Sequence, residues 1–131
     1  MREILFRGKR KDDGKWVFGS VVHQTDYYSD KCDRWFILEG NYTNDYDIDD
    51  PIEVQKETVG QYTGLTDKNG KRIFEGDVVD VVRSGNETWR CVVRDIRNIP
   101  AEMRGSHVKS MEVVGNIHDT PELLEEVPDN G

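Results

Sequence analysis

The chain has 131 residues, a length from which one hydrophobic core is expected, with 35% hydrophobic and 34% charged residues. Its 26 acidic against 18 basic side chains leave a formal net charge of −8, which argues against a surface that coats nucleic acid by counterion release and leaves only a local basic stripe for that chemistry. No apolar run is long enough to span a bilayer, Met1 to Phe6 do not open the long apolar run of a signal peptide, and Cys32 and Cys91 form no Cys-x-x-Cys pair; the expectation is a cytoplasmic protein with reduced thiols, without zinc site or disulfide framework.

Read in chain order, the dominant period is two. Asp12-Asp13-Gly14 has hairpin turn chemistry, and after it Trp16, Phe18, Ser20 and Val22 alternate with Val17, Gly19, Val21 and His23, a strand with one wetter face. Residues 24 to 34 and 40 to 53 are rich in Asp, Asn, Tyr and Ser and read as long loops, where a small β-scaffold usually carries function. Inside the second of them, Asp45-Tyr46-Asp47-Ile48-Asp49-Asp50 begins like a calcium loop. The sixth position is Asp50 instead of Gly and the twelfth is Lys56 instead of Glu, so a solvated acidic loop is the better reading.

The most legible segment runs from Thr58 to Val79. Asp67 opens a tight turn, Asn69 tolerates its third position, and Gly70 supplies the left-handed conformation of a type I turn with a bulge, so two strands meet here. Gly76-Asp77 suits a sharp bend before a strand from Val78 to Val82, and Ser84-Gly85-Asn86 turns it into another in which Trp89, Cys91 and Val93 alternate with Thr88, Arg90, Val92 and Arg94. Residues 98 to 107 show little periodicity. Met111, Val113 and Ile117 oppose Glu112, Asn116 and His118, and Thr120 with Pro121 then offers a cap and first turn for a short terminal helix.

Charge is distributed in blocks. Residues 1 to 25 hold six basic and three acidic side chains, 26 to 57 three and ten, 81 to 110 six and three, and 111 to 131 none and six. Solvated faces explain such blocks; pairing of opposite blocks between copies, giving a homo-oligomer, is the sharper alternative. His23, His107 and His118 are scattered, and neither cysteine has a motif behind it, so no catalytic, cofactor or metal residue is assigned. One positive candidate remains for anion or partner binding: Arg83, Arg90, Arg94 and Arg97, with Thr88 and Tyr62 nearby. Its bland counterpart is cross-strand pairing with Asp77, Asp80 or Glu87.

Three stretches together resemble the YopX family, small proteins encoded mainly by bacteriophages and prophages. They are Arg2 to Arg10 with Trp16-Val17-Phe18-Gly19, then Tyr62-Thr63-Gly64-Leu65, Asp67-Lys68-Asn69-Gly70 and Glu75-Gly76-Asp77, and finally Val114 to Leu124. The resemblance spans nearly the whole chain. It implies a mainly β fold in a single YopX-like domain, with a loop-rich β part over residues 1–57, an SH3-like barrel over 58–131 and a short C-terminal helix. The family has no assigned activity, so no catalytic residue carries over. The expected function is a non-enzymatic binding or regulatory module acting on a phage or host protein, with a self-assembling homo-oligomer as the alternative and a weak nucleic-acid-binding accessory protein after that.

Overall fold

The structure, a computed structural model, describes residues 4–26, 29–39 and 50–126. It is mainly β, with two antiparallel sheets, and the chain divides into two compact units, Met1–Gln61 and Tyr62–Gly131.

In the first unit β1 (Phe6–Lys9), β2 (Trp16–Asp26), β3 (Ser29–Leu38) and β4 (Ile52–Val54) lie in the order β4-β3-β2-β1, and the start of β5 (Gly60–Thr66) pairs with β1 at Phe6↔Gln61 and Arg7↔Gly60. The structure selects the dry side of β2, which alternation alone left open. Val17 is buried against Ile37 and Val54, with Phe6, Val21, Trp35, Ile52 and Val59 packed around them, whereas Phe18 and Val22 on the opposite face stay 45% and 41% exposed. Gly19 sits where β2 and β3 close on each other: a Cβ there would be driven into the Leu38 carbonyl oxygen.

Residues 24 to 34 are not the long loop that their composition suggests. Gln24–Asp26 continue β2 and Ser29–Arg34 belong to β3, in the register His23↔Trp35, Gln24↔Arg34, Thr25↔Asp33, with a bulge between Thr25 and Asp26. Cross-strand pairs supply what intrinsic propensity does not. The segment 45–49 of the supposed calcium loop lies outside the described residues.

In the second unit β5 pairs with β6 (Arg72–Phe74), and β7 (Asp77–Arg83) lies between β8 (Thr88–Val92) and β9 (Val108–Asn116). A second buried cluster, where the chain's length led to the expectation of one core, holds Ile73, Val79, Val81, Cys91, Val93 and Met103; the last is delivered by the 3-10 turn Ala101–Met103 inside the irregular stretch at 98–107. The SH3-like barrel implied by resemblance does not close. Closure needs a hydrogen-bonded ladder all the way round. Among the described residues none joins β6 to β7, and the Phe74 N–H goes to the Asp77 carboxylate (2.8 Å) instead.

The expected turn at Asp67 has the predicted chemistry. Gly70 N–H donates to the Asp67 carbonyl (3.0 Å), Asp67 N–H donates to that of Lys71 (2.8 Å), and Gly70 has φ +80°. At the far end, Pro121–Glu126 form a 3-10 helix rather than an α-helix. Thr120 offers that helix no side-chain cap in the way the sequence suggests, because its hydroxyl turns back to Asn116, accepting the N–H (3.0 Å) and donating to the carbonyl (2.9 Å).

Candidate functional site

The four arginines singled out by the sequence are mostly engaged within the chain. Arg90 lies across the ladder from Asp80 and grips it with Nε (2.7 Å) and Nη2 (2.9 Å). Arg83 Nη1 donates to the Glu102 carbonyl (3.0 Å), and Arg97 folds onto Asp95, two residues away (2.9 Å). Arg94 is exposed and lies beyond the end of β8, so the period-two argument that put it on a face with Arg90 lapses. Of the two residues placed beside them, Thr88 is exposed and Tyr62 is buried against Phe74. The fork on Asp80 is the cross-strand pairing that the bland reading foresaw.

A different cluster stands in the first unit, on the part of the hairpin that composition assigned to a loop. The long strands bring His23 opposite Trp35, whose rings stack at 3.9 Å and 13°. One turn of the pleat further, Asp33 collects three donors. Lys56 Nζ donates to Oδ2 (2.7 Å), Trp35 Nε1 donates to Oδ1 (3.0 Å), and His23 Nε2 meets Oδ1 as well. The Lys56 ammonium first, then His23 and Trp35, bring the Asp33 carboxyl down to about 2. Beside it Arg34 makes a two-pronged contact with Glu53 on β4 (2.9 and 3.2 Å), which brings Glu53 to about 2 as well.

These contacts hold a ribbon that outruns its neighbours. β1 pairs with β2 only over Trp16–Gly19 and β4 pairs with β3 only over Trp35–Ile37, so among the described strands Ser20–His23 have β3 alone beside them, opposite Trp35–Leu38, and Gln24–Asp26 with Ser29–Arg34 continue as a two-stranded ribbon. An isolated two-stranded hairpin is marginal in water. The Asp33 cluster and the Arg34–Glu53 fork tie its base to the 3-10 turn Lys56–Thr58 and to β4. His23 and Asp33 resemble half of a catalytic array, but Cys32, the nearest thiol in sequence, alternates away from Asp33 along β3, and its sulfur faces the Gln24 carbonyl at 3.8 Å. Cys91 is buried, which pushes its thiol up to about 11. Among the described residues no three His, Cys, Asp or Glu side chains come together to hold a metal ion, and no helix is long and apolar enough to cross a membrane.

A small, mainly antiparallel β protein with a projecting, clasped hairpin is the class that this geometry defines. The chain belongs to the YopX family, whose model, described as YopX protein, matches residues 5–125. A crystal structure of protein EF1440 from Enterococcus faecalis is similar to it at 21% identity and a TM-score of 0.47, over 95% of this chain and 99% of that one. No curated protein matches.

Proposed function

We propose that this protein works without catalysis, as a binding module of a phage or prophage acting in the bacterial cytoplasm, and that the β2–β3 hairpin is the element it presents to a partner. The observation that carries this reading is the ribbon itself: residues 24–26 and 29–34 extend past the other described strands of their sheet, residues 20–23 lead into it beyond the end of β1, and Val22, His23, Gln24 and Thr25 are all exposed. Backbone projected beyond its own fold costs ordering entropy and returns little burial, and small scaffolds place recognition on such segments. The Asp33 cluster then serves to pre-order the ribbon, which lowers the entropy lost on docking.

The test is affinity capture from prophage-induced cells followed by reconstitution with the purified partner. Parent protein is expected to bind it directly, a Gln24→Arg, Thr25→Arg variant to lose binding by an order of magnitude or more, and Arg94→Ala to bind as the parent does. Binding that ignores the hairpin variant, or a turnover reaction traced to purified protein, refutes the reading.

A further inference from the structure

The two strands of the hairpin treat their outer edges in opposite ways. An edge strand offers a row of N–H and C=O groups to any other chain, and proteins blunt that risk with charges, proline or bulges. β3 follows the rule: where it runs past β4 it carries Asp33 and Arg34. β2 does not. From Trp16 to Thr25 it holds ten consecutive residues with no charge and no proline, in a chain of which 34% is charged. Its neighbour β1 covers the edge only as far as Gly19, opposite Phe6, so Ser20–Thr25 present an uncovered edge among the described residues. The bulge between Thr25 and Asp26 then ends the regular run.

We propose that the β2 edge over Ser20–Thr25 pairs antiparallel with the same edge of a second copy of this chain, joining two sheets across a two-fold axis. The proposal rests on the hairpin being the presented element and names its occupant. An isologous interface must be complementary to itself. Centring the pair on Val22, one of the alignments that keep like faces together, sets Val22 opposite the partner's Val22 and Ser20 opposite the partner's Gln24, so no two like charges meet and no histidine faces its own copy. Val22, 41% exposed, is covered in the pair. Each copy carries a net charge of −8, and two such molecules approach with least repulsion through a neutral strand. β3 is a poorer complement to itself for the same reason that it is a safe edge.

This interface differs from pairing between acidic and basic blocks in the sign of its salt dependence. The measurement is sedimentation equilibrium of the full chain across a wide concentration range, at low and at molar salt. A dimer that persists or tightens as salt screens the mutual repulsion is expected. Val22→Lys sets two lysines directly opposite each other, Cβ atoms about 5 Å apart across the two-fold, and should weaken the dimer by at least about tenfold, and Gln24→Lys should weaken it too, while Val22→Thr keeps it. The exposed positions of both lysines leave the fold intact, checked by melts of the dilute monomers. Amide exchange at Ser20–Thr25 should slow in step with dimer formation. A monomer at every concentration, a dimer that salt dissolves, or a dimer indifferent to both lysines overturns the proposal. Capture of a foreign partner by a monomer would leave the functional reading standing while this one falls.

Discussion

Asp33 in the first unit and Asp67 in the second each collect three hydrogen-bond donors, but the donors differ in kind. Asp67, 7% exposed, accepts from the main-chain N–H groups of Asn69 and Lys71 through Oδ1 (both 2.9 Å) and from that of Val113 through Oδ2 (3.0 Å). Burial raises its pKa, but those three N–H groups outweigh it and hold the carboxyl below its ordinary value. Asp33 is served by side chains, with 39% of its own surface open to water. Main-chain N–H groups fixed in a turn and a strand cannot rotate away, so the acid that satisfies them becomes part of the fold. Lysine and histidine can turn to solvent, so the acid that gathers them tunes a local element.

The largest expected effect follows from that contrast. Asp67→Ala leaves three N–H donors without their acceptor and cuts the tie between the β5–β6 turn and β9, a loss on the order of 3 to 5 kcal/mol by chemical denaturation. Asp67→Asn keeps one carbonyl oxygen and should lose clearly less. An alanine variant within about 1 kcal/mol of the parent would mean that water replaces the carboxylate freely, and the contrast between the two acids would collapse.

Next comes Gly70, in the same turn. Its φ of +80° is strained for any residue with a Cβ, yet nothing lies within 4 Å of where that atom would stand. Gly70→Val should therefore cost about 1 to 3 kcal/mol from backbone strain alone, with Gly70→Asn well below it. Equal melting of the glycine and valine forms would sink the turn assignment.

Arg90 and Arg94 sharpen the comparison within one strand's neighbourhood. Arg90, forked on Asp80 and three-quarters covered, should cost about 1 kcal/mol as Arg90→Ala, and exposed Arg94→Ala nearly nothing. Fluorescent oligonucleotides should bind at most weakly and with steep salt dependence, because three of the four candidate arginines, Arg83, Arg90 and Arg97, are already engaged within the chain. Tight binding at physiological salt that the double alanine variant abolishes would restore the arginine patch.

Turn chemistry was the legible part of this fold. Asp67, Gly70 and Gly76-Asp77 act through their own backbone geometry and near neighbours, and the sequence carries that information locally. Alternation put Val17 and Phe18 on opposite faces without choosing the dry one, because both faces of β2 carry apolar residues. The hairpin beyond His23 was not legible, because Asp26 and Asp33 are poor strand formers singly and the segment becomes a ribbon only through its cross-strand register. Misread as a loop, the segment hid the meeting of His23, Asp33, Trp35 and Lys56. The signal available was the ten-residue uncharged run of β2, too long for the four-residue β1 to match. Barrel closure was invisible in another way: hairpin turns fix which strands are neighbours, but not whether the last one returns to the first.

The smallest global effect is expected at Asp33, and it tests whether the clasp is local. Asp33→Ala should move the melting temperature little, since exposed ion pairs contribute weakly. Amide exchange should nevertheless quicken at Val22–Thr25 and at Cys32–Arg34 while β7 keeps its protection. The pH dependence has a definite sign. The folded Asp33 carboxyl sits near 2, against an ordinary 3.8, so its contribution is complete above the ordinary value and fades as pH falls towards 2. The Trp35 indole proton, which donates to this carboxylate, reports the event directly: its resonance should titrate with a midpoint near 2 and go flat in the alanine variant. A midpoint near 4 would show that Lys56 and His23 leave the carboxylate alone in solution, and the ribbon would then owe its order to the His23–Trp35 stack and the Arg34–Glu53 fork alone.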